Sequence, residues 1–176
     1  MNPVMNQPLM TRQDLVQAAV RLLELLLKFH PCGLAVILGT YPPPDAEVWD
    51  ELLALSRPVS EAVRVQGSPS SDKMLMCVAR ADEMDGIVRE MGGWTNIQAA
   101  AEAVRAEYPE WWLHFVRYVD RVDGARGNYN SSMQGTPRAL LAAELGLDPQ
   151  TLSEHRYKVP AMIARKAMNG FQKMLF

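Results

Sequence analysis

Between residues 136 and 159 the chain reads TPRALLAAELGLDPQTLSEHRYKV, which signals two short helices meeting at a tight corner. Thr136 is placed to cap the first helix with Pro137 at its first position, and Asp148 and Pro149 repeat that arrangement for the second. Between them Leu145-Gly146-Leu147 makes the turn, where glycine supplies the positive φ that a close helix–helix corner demands. Ala142, four residues before the glycine, is small enough for the helices to cross, and Leu141, Leu145 and Leu152 are expected to point inward. The second helix then presents Gln150, Ser153, Glu154 and Tyr157 outward, as a reader of base edges in a major groove would. Arg138, Thr151, Arg156 and Lys158 are the candidates for phosphate contacts, which position a protein on DNA without reading sequence. His155 falls where such a unit usually carries an aliphatic residue, so packing against preceding helices is its expected role.

The rest of the chain reads as helical. Thr11-Arg-Gln-Asp14 is an N-cap with an acidic first turn, and Leu15 to Phe29 is apolar around most of its circumference, which predicts a buried or self-associating helix. Residues 33–39 fit a short buried strand or a helical turn, Pro42 to Pro44 form a stiff connector, and Asp45 caps a helix running to about Ser56. Arg57 to Ser71 reads as a linker. From Asp72, Met74, Met76, Cys77, Ala79, Met84, Ile87, Val88 and Met91 give a helical apolar pattern ended by Gly92-Gly93. Thr95 is expected to cap an alanine-rich helix, and Pro109 opens another through Val122 whose tandem Trp111 and Trp112 read as core that supports the helix pair. The polar stretch Asp123 to Gly135 reads as a solvated loop, with Arg126, Asn128 and Tyr129 as residues able to order on a partner. Residues 1–10 read as a loose tail.

Charge is distributed unevenly. Residues 1–110 hold 9 Lys/Arg against 15 Asp/Glu, and residues 111–176 hold 9 against 5, so a net charge of −2 hides a basic C-terminal part. Cys32 and Cys77 read as reduced thiols of a cytoplasmic protein, with no export signal and no membrane span expected. No catalytic chemistry is indicated: His30, His114 and His155 share no metal-ligand spacing, and no phosphate loop or nucleophile elbow is present. The expectation is a non-enzyme without metal or cofactor.

On LAAELGLDPQTLSEHR at 141–156, with a Ser/Pro break at 68–71, a helix from Asp72 and FVRYV at 115–119 upstream, the chain resembles the region-4-like helix-turn-helix of sigma-70 factors. More closely it resembles phage and prophage transcriptional activators of the RinA/ArpU type, over roughly the second 100 residues. The resemblance implies control of transcription on double-stranded DNA, with RNA polymerase as a candidate partner. The expected fold is all-α, with residues 1–66 a helical region for self-association or partner contact and residues 67–176 carrying a three-helix helix-turn-helix unit. A homo-oligomer is expected, since one such unit seldom gives adequate specificity alone. Two alternatives are a phage packaging adaptor like a small terminase subunit, and a protein-interaction module using the same bihelical unit.

Overall fold

The computed structural model describes residues 11–56, 71–124 and 135–175, with side chains from 11–56, 81–124 and 135–170. Among these the protein is all-α and no strand occurs. Its helices are α1 (Arg12–Phe29), α2 (Gly33–Leu38), α3 (Ala46–Leu55), α4 (Ser71–Glu90), α5 (Trp94–Glu107), α6 (Pro109–Tyr118), α7 (Pro137–Leu145) and α8 (Pro149–Leu175), with a π-helical turn over Val119–Asp123 extending α6. The tail and most of the expected linker and loop, residues 1–10, 57–70 and 125–134, fall outside the described residues, as do Arg126, Asn128, Tyr129 and the side chains of Met74, Met76 and Cys77. Asp123, expected to open the solvated loop, is instead buried at the end of the π turn, and Ser71, expected to end the linker, begins α4.

Local chemistry accounts for most helix starts. Thr11 Oγ1 accepts from the Asp14 amide at 3.2 Å while the Asp14 carboxylate accepts from the Thr11 amide at 3.3 Å, a reciprocal capping box. Asp45 accepts from the Val48 amide at 2.9 Å and Thr136 from the Ala139 amide at 3.1 Å, satisfying donors that have no partner within the helix. One start differs from expectation: α5 begins at Trp94 with Gly93 as its cap, so Thr95 lies inside the first turn. Residues 33–38 resolve as helix rather than strand, because the chain turns back directly onto the end of α1.

That turn is unusually close. A Cβ at Gly33 would stand 2.0 Å from the Leu26 carbonyl oxygen, so only glycine allows α2 to start there. α1 buries Ala19, Leu22, Leu23, Leu25, Leu26 and Leu27, and joins Val36, Ile37, Trp49, Val88, Met91, Ile97, Val104, Phe115, Ile163 and Ala167 in one core. Helices on both sides of residue 66 therefore share that core. The apolar circumference of α1 is consumed inside the chain, so the argument for self-association from that helix lapses. α8 is the central strut, packing on α5, α6, α1 and α7. Asn96 reinforces it, its side-chain amide donating to the carbonyls of Met91 and Ala167, both at 2.6 Å. No helix among the described residues is long and apolar enough to cross a membrane.

Gly33→Ala is expected to destabilise the protein more than Gly146→Ala. The latter has open space for its Cβ and meets only the left-handed backbone cost at φ 68°, about 1–2 kcal/mol. Urea denaturation of both variants measures this, and an equal or smaller loss for Gly33→Ala would contradict the close approach.

Candidate nucleic-acid interface

α7 and α8 meet at Gly146, whose left-handed conformation (φ 68°, ψ 30°) lets its amide close α7 on the Ala142 and Ala143 carbonyls. A small second core sits in this corner: Leu141, Ala142 and Leu152 pack with Tyr118, and Val122, Leu145 and Leu147 flank them. The inward residues and the close crossing at Ala142 are thus as the sequence indicates. The supporting residues are Tyr118 and Val122 from the end of α6 and its π turn, whereas Trp112 and Phe115 belong to the main core. On the same side of α7, Glu144 pairs with Arg117 and Arg121, fastening α7 to that π-turned end.

Six of the eight residues expected on the reading surface converge. Arg138, Gln150, Ser153, Glu154, Tyr157 and Lys158 line one open groove of about 830 Å³, together with Trp111, Ala161, Met162 and Arg165. Arg138 donates to Ser153 Oγ at 3.2 Å, bridging the two helices across its mouth. Thr151, half-buried in the first turn of α8, is not part of this lining. Burial holds the Tyr157 hydroxyl above its ordinary value, although the residue keeps 41% of its surface exposed.

Arg156 corrects the expectation. It is 0% exposed and makes no phosphate-facing surface. Its Nη1 and Nη2 donate to the two carboxylate oxygens of Glu24 at 2.8 and 2.9 Å, and its Nε donates to Asp123 at 2.8 Å. The Tyr157, Phe115 and Tyr118 rings surround the guanidinium at 4.9, 5.6 and 5.8 Å. Burial works against its charge, but hydrogen bonding and attraction from Glu24, then Asp123, outweigh it and hold the group above the ordinary arginine value. The physical reason for the reversal is register: Leu152, Arg156, Val159 and Ile163 lie on the buried stripe of α8. The π turn delivers Asp123 to that stripe.

His155 packs, as expected for its position, but against rings. It stacks on Trp111 with centroids 4.7 Å apart and meets His114 edge to edge in nearly the same plane, the two histidine Nδ1 atoms standing 2.8 Å apart. Burial, then charge on His114 and Lys158, lower its pKa against opposing effects of Glu110 and Glu154. Trp111, read as core from the sequence, packs against the main core but is half-buried and also walls the groove, with Lys158 Nζ 5.5 Å from its ring centroid. Arg165, seven residues beyond Lys158 and therefore on the same helix face, is the cation that sequence reasoning missed. The signal was Pro160: α8 runs through it, because the helix beyond buries Ile163, Ala164, Ala167 and Met168. Among the described residues no His/Cys/Asp/Glu cluster is able to hold a metal ion. No protein-family model matches the chain, and neither does any curated protein or solved structure.

Arg156→Ala is expected to lower the unfolding free energy by about 3–5 kcal/mol, because buried Asp123 loses its counter-charge and Glu24 keeps only the longer contact to Lys28. Arg156→Lys should recover only part of that loss, since an ammonium cannot match both Glu24 oxygens and Asp123 at once. Urea denaturation checks both; an alanine variant within about 0.5 kcal/mol of the parent would contradict this arrangement.

Proposed function

We propose that the outward face of α7 and α8 binds double-stranded DNA, and that the protein is a sequence-specific transcription regulator of phage or prophage genes acting in the cytoplasm. The observation that carries this reading is the convergence of Arg138, Gln150, Ser153, Glu154, Tyr157 and Lys158 on one open groove beside a glycine-cornered helix pair. In this reading Arg138, Lys158 and Arg165 contact phosphates, while Gln150, Ser153, Glu154 and Tyr157 meet base edges. Three cations against one carboxylate give the groove the sign a polyanion needs, even though the whole chain carries −2. A second copy of the chain would supply a second half-site, and RNA polymerase is the proposed effector partner.

One feature favours a different occupant: Trp111, Ala161 and Met162 give the groove an apolar floor suited to a partner helix. Salt separates the two. Three phosphate contacts predict an affinity for duplex DNA that falls about 40-fold between about 50 and 200 mM salt. Lys158→Ala and Arg165→Ala should each lower the log–log salt slope by about 0.9 and weaken all sequences alike, while Gln150→Ala should relax sequence choice. Fluorescence anisotropy on random and genomic-fragment duplexes reads each effect. No binding at low salt, or binding indifferent to salt, overturns the DNA reading and favours a protein partner.

A further inference from the structure

The histidine pair behind the groove wall has a geometry that requires one proton between its two facing nitrogens. At 2.8 Å between Nδ1 atoms, one ring must donate Nδ1–H and the other must accept through its Nδ1 lone pair. The donor ring can still take up a proton from solvent at its Nε2, giving a pair with one positive charge and an intact hydrogen bond. A second proton has only the accepting Nδ1 to occupy. It would set two N–H groups head to head and two like charges within one hydrogen-bond length, so the pair stops at one charge. His114 is buried and lies between core and groove wall; His155 is half-buried and stacks on Trp111, which lines the groove.

The charged neighbours are few. α6 contributes Glu110, and α8 contributes Glu154 and Lys158 beside His155. α5, which also packs on α8, has its Glu107 engaged by Lys166, eleven residues further along. The carboxylates favour the singly charged pair and Lys158 opposes it, which leaves the pair responsive to any charge that settles in the groove. A polyanion there adds negative charge beside a pair whose protonated form burial disfavours, and so favours taking up the proton.

We propose that His114 and His155 act as a single-proton pair that links DNA binding in the groove to pH, the complex taking up a proton as the polyanion docks. This rests on the DNA reading above. By linkage, the DNA raises the proton affinity of the pair, and because burial holds His155 below the ordinary histidine value, affinity for DNA rises as pH falls below about 6.5, by no more than about tenfold per pH unit. The pair's position behind Trp111 makes it a regulatory element rather than a contact: Trp111 and Lys158 stand between it and the groove.

Two measurements on the full chain test this. In the free protein, proton NMR of the three histidines should show His114 and His155 reporting one shared protonation step with a common midpoint, distinct from that of His30. His155→Gln should move the His114 midpoint. Unrelated midpoints for the two rings in the parent protein, or a His114 midpoint unmoved in His155→Gln, would overturn the shared-proton pair. Calorimetry of binding to duplex DNA, run at several pH values below about 6.5 in buffers of different ionisation enthalpy, should give an uptake of up to about one proton per complex. His155→Gln should bind DNA with that uptake lost. Binding without proton uptake in the parent, or uptake unchanged in His155→Gln, overturns the linkage while leaving the DNA reading intact. No DNA binding at all overturns the DNA reading and the linkage with it, and the NMR titration then judges the pair alone.

Discussion

A guanidinium with no exposed surface holds three parts of this chain in one arrangement. Arg156 on α8 takes both oxygens of Glu24 on α1 and one of Asp123 at the π-turned end of α6. Lys28 Nζ, 3.8 Å from Glu24, brings the cluster to two positive and two negative charges. Such a cluster is weak evidence of net stabilisation, because desolvating each charge costs several kcal/mol that the pairing only roughly offsets. Its consequence is specificity of position. Rotating α8, sliding it against α1, or unwinding the π turn would each strand a buried charge. The groove on the opposite face of α8 inherits its geometry from that constraint, since Gln150, Ser153, Glu154 and Lys158 face outward only while Arg156 faces in.

The limit of the sequence is visible at this residue. Helix starts at Thr11, Asp45, Pro109, Thr136 and Pro149, and the corner at Gly146, could be read because each depends on residues within four positions of one another. Arg156 could not be read in that way: its partners lie 33 and 132 positions away. Its spacing from Leu152, Val159 and Ile163 does mark the buried stripe. An arginine on such a stripe nevertheless reads as surface, because arginine is almost never fully buried unless paired, and the pairing is tertiary. The same limit explains Trp111. One of two adjacent tryptophans on a helix must point roughly 100° from the other, so Trp112 enters the core and Trp111 reaches the groove wall. α8 outran the expected motif for a third tertiary reason, the apolar contacts beyond Pro160 that keep the helix intact past a residue that ordinarily ends one.

The N-terminal helices change the meaning of the bihelical unit. A free-standing helix-turn-helix needs only its third helix for support, and here that support is the small cluster around Tyr118 and Leu152. α1, α5 and α6 then bury the other side of α8 in the main core, so the groove stands on a broad base. Under the proposed DNA reading such support would favour binding, because a surface that is already ordered loses less conformational entropy on docking. It also places the histidine pair where core and groove wall meet.

In the proposed reading, DNA meets the outward face of α7 and α8. Backbone amide chemical shifts, followed while the ¹⁵N-labelled chain is titrated with duplex DNA at low salt, test this most directly. The expected result is perturbation concentrated at Arg138, Gln150, Ser153, Glu154, Tyr157, Lys158 and Arg165, with the α1–α2 turn unaffected. Perturbation centred on that turn, or none anywhere at low salt, would contradict the account.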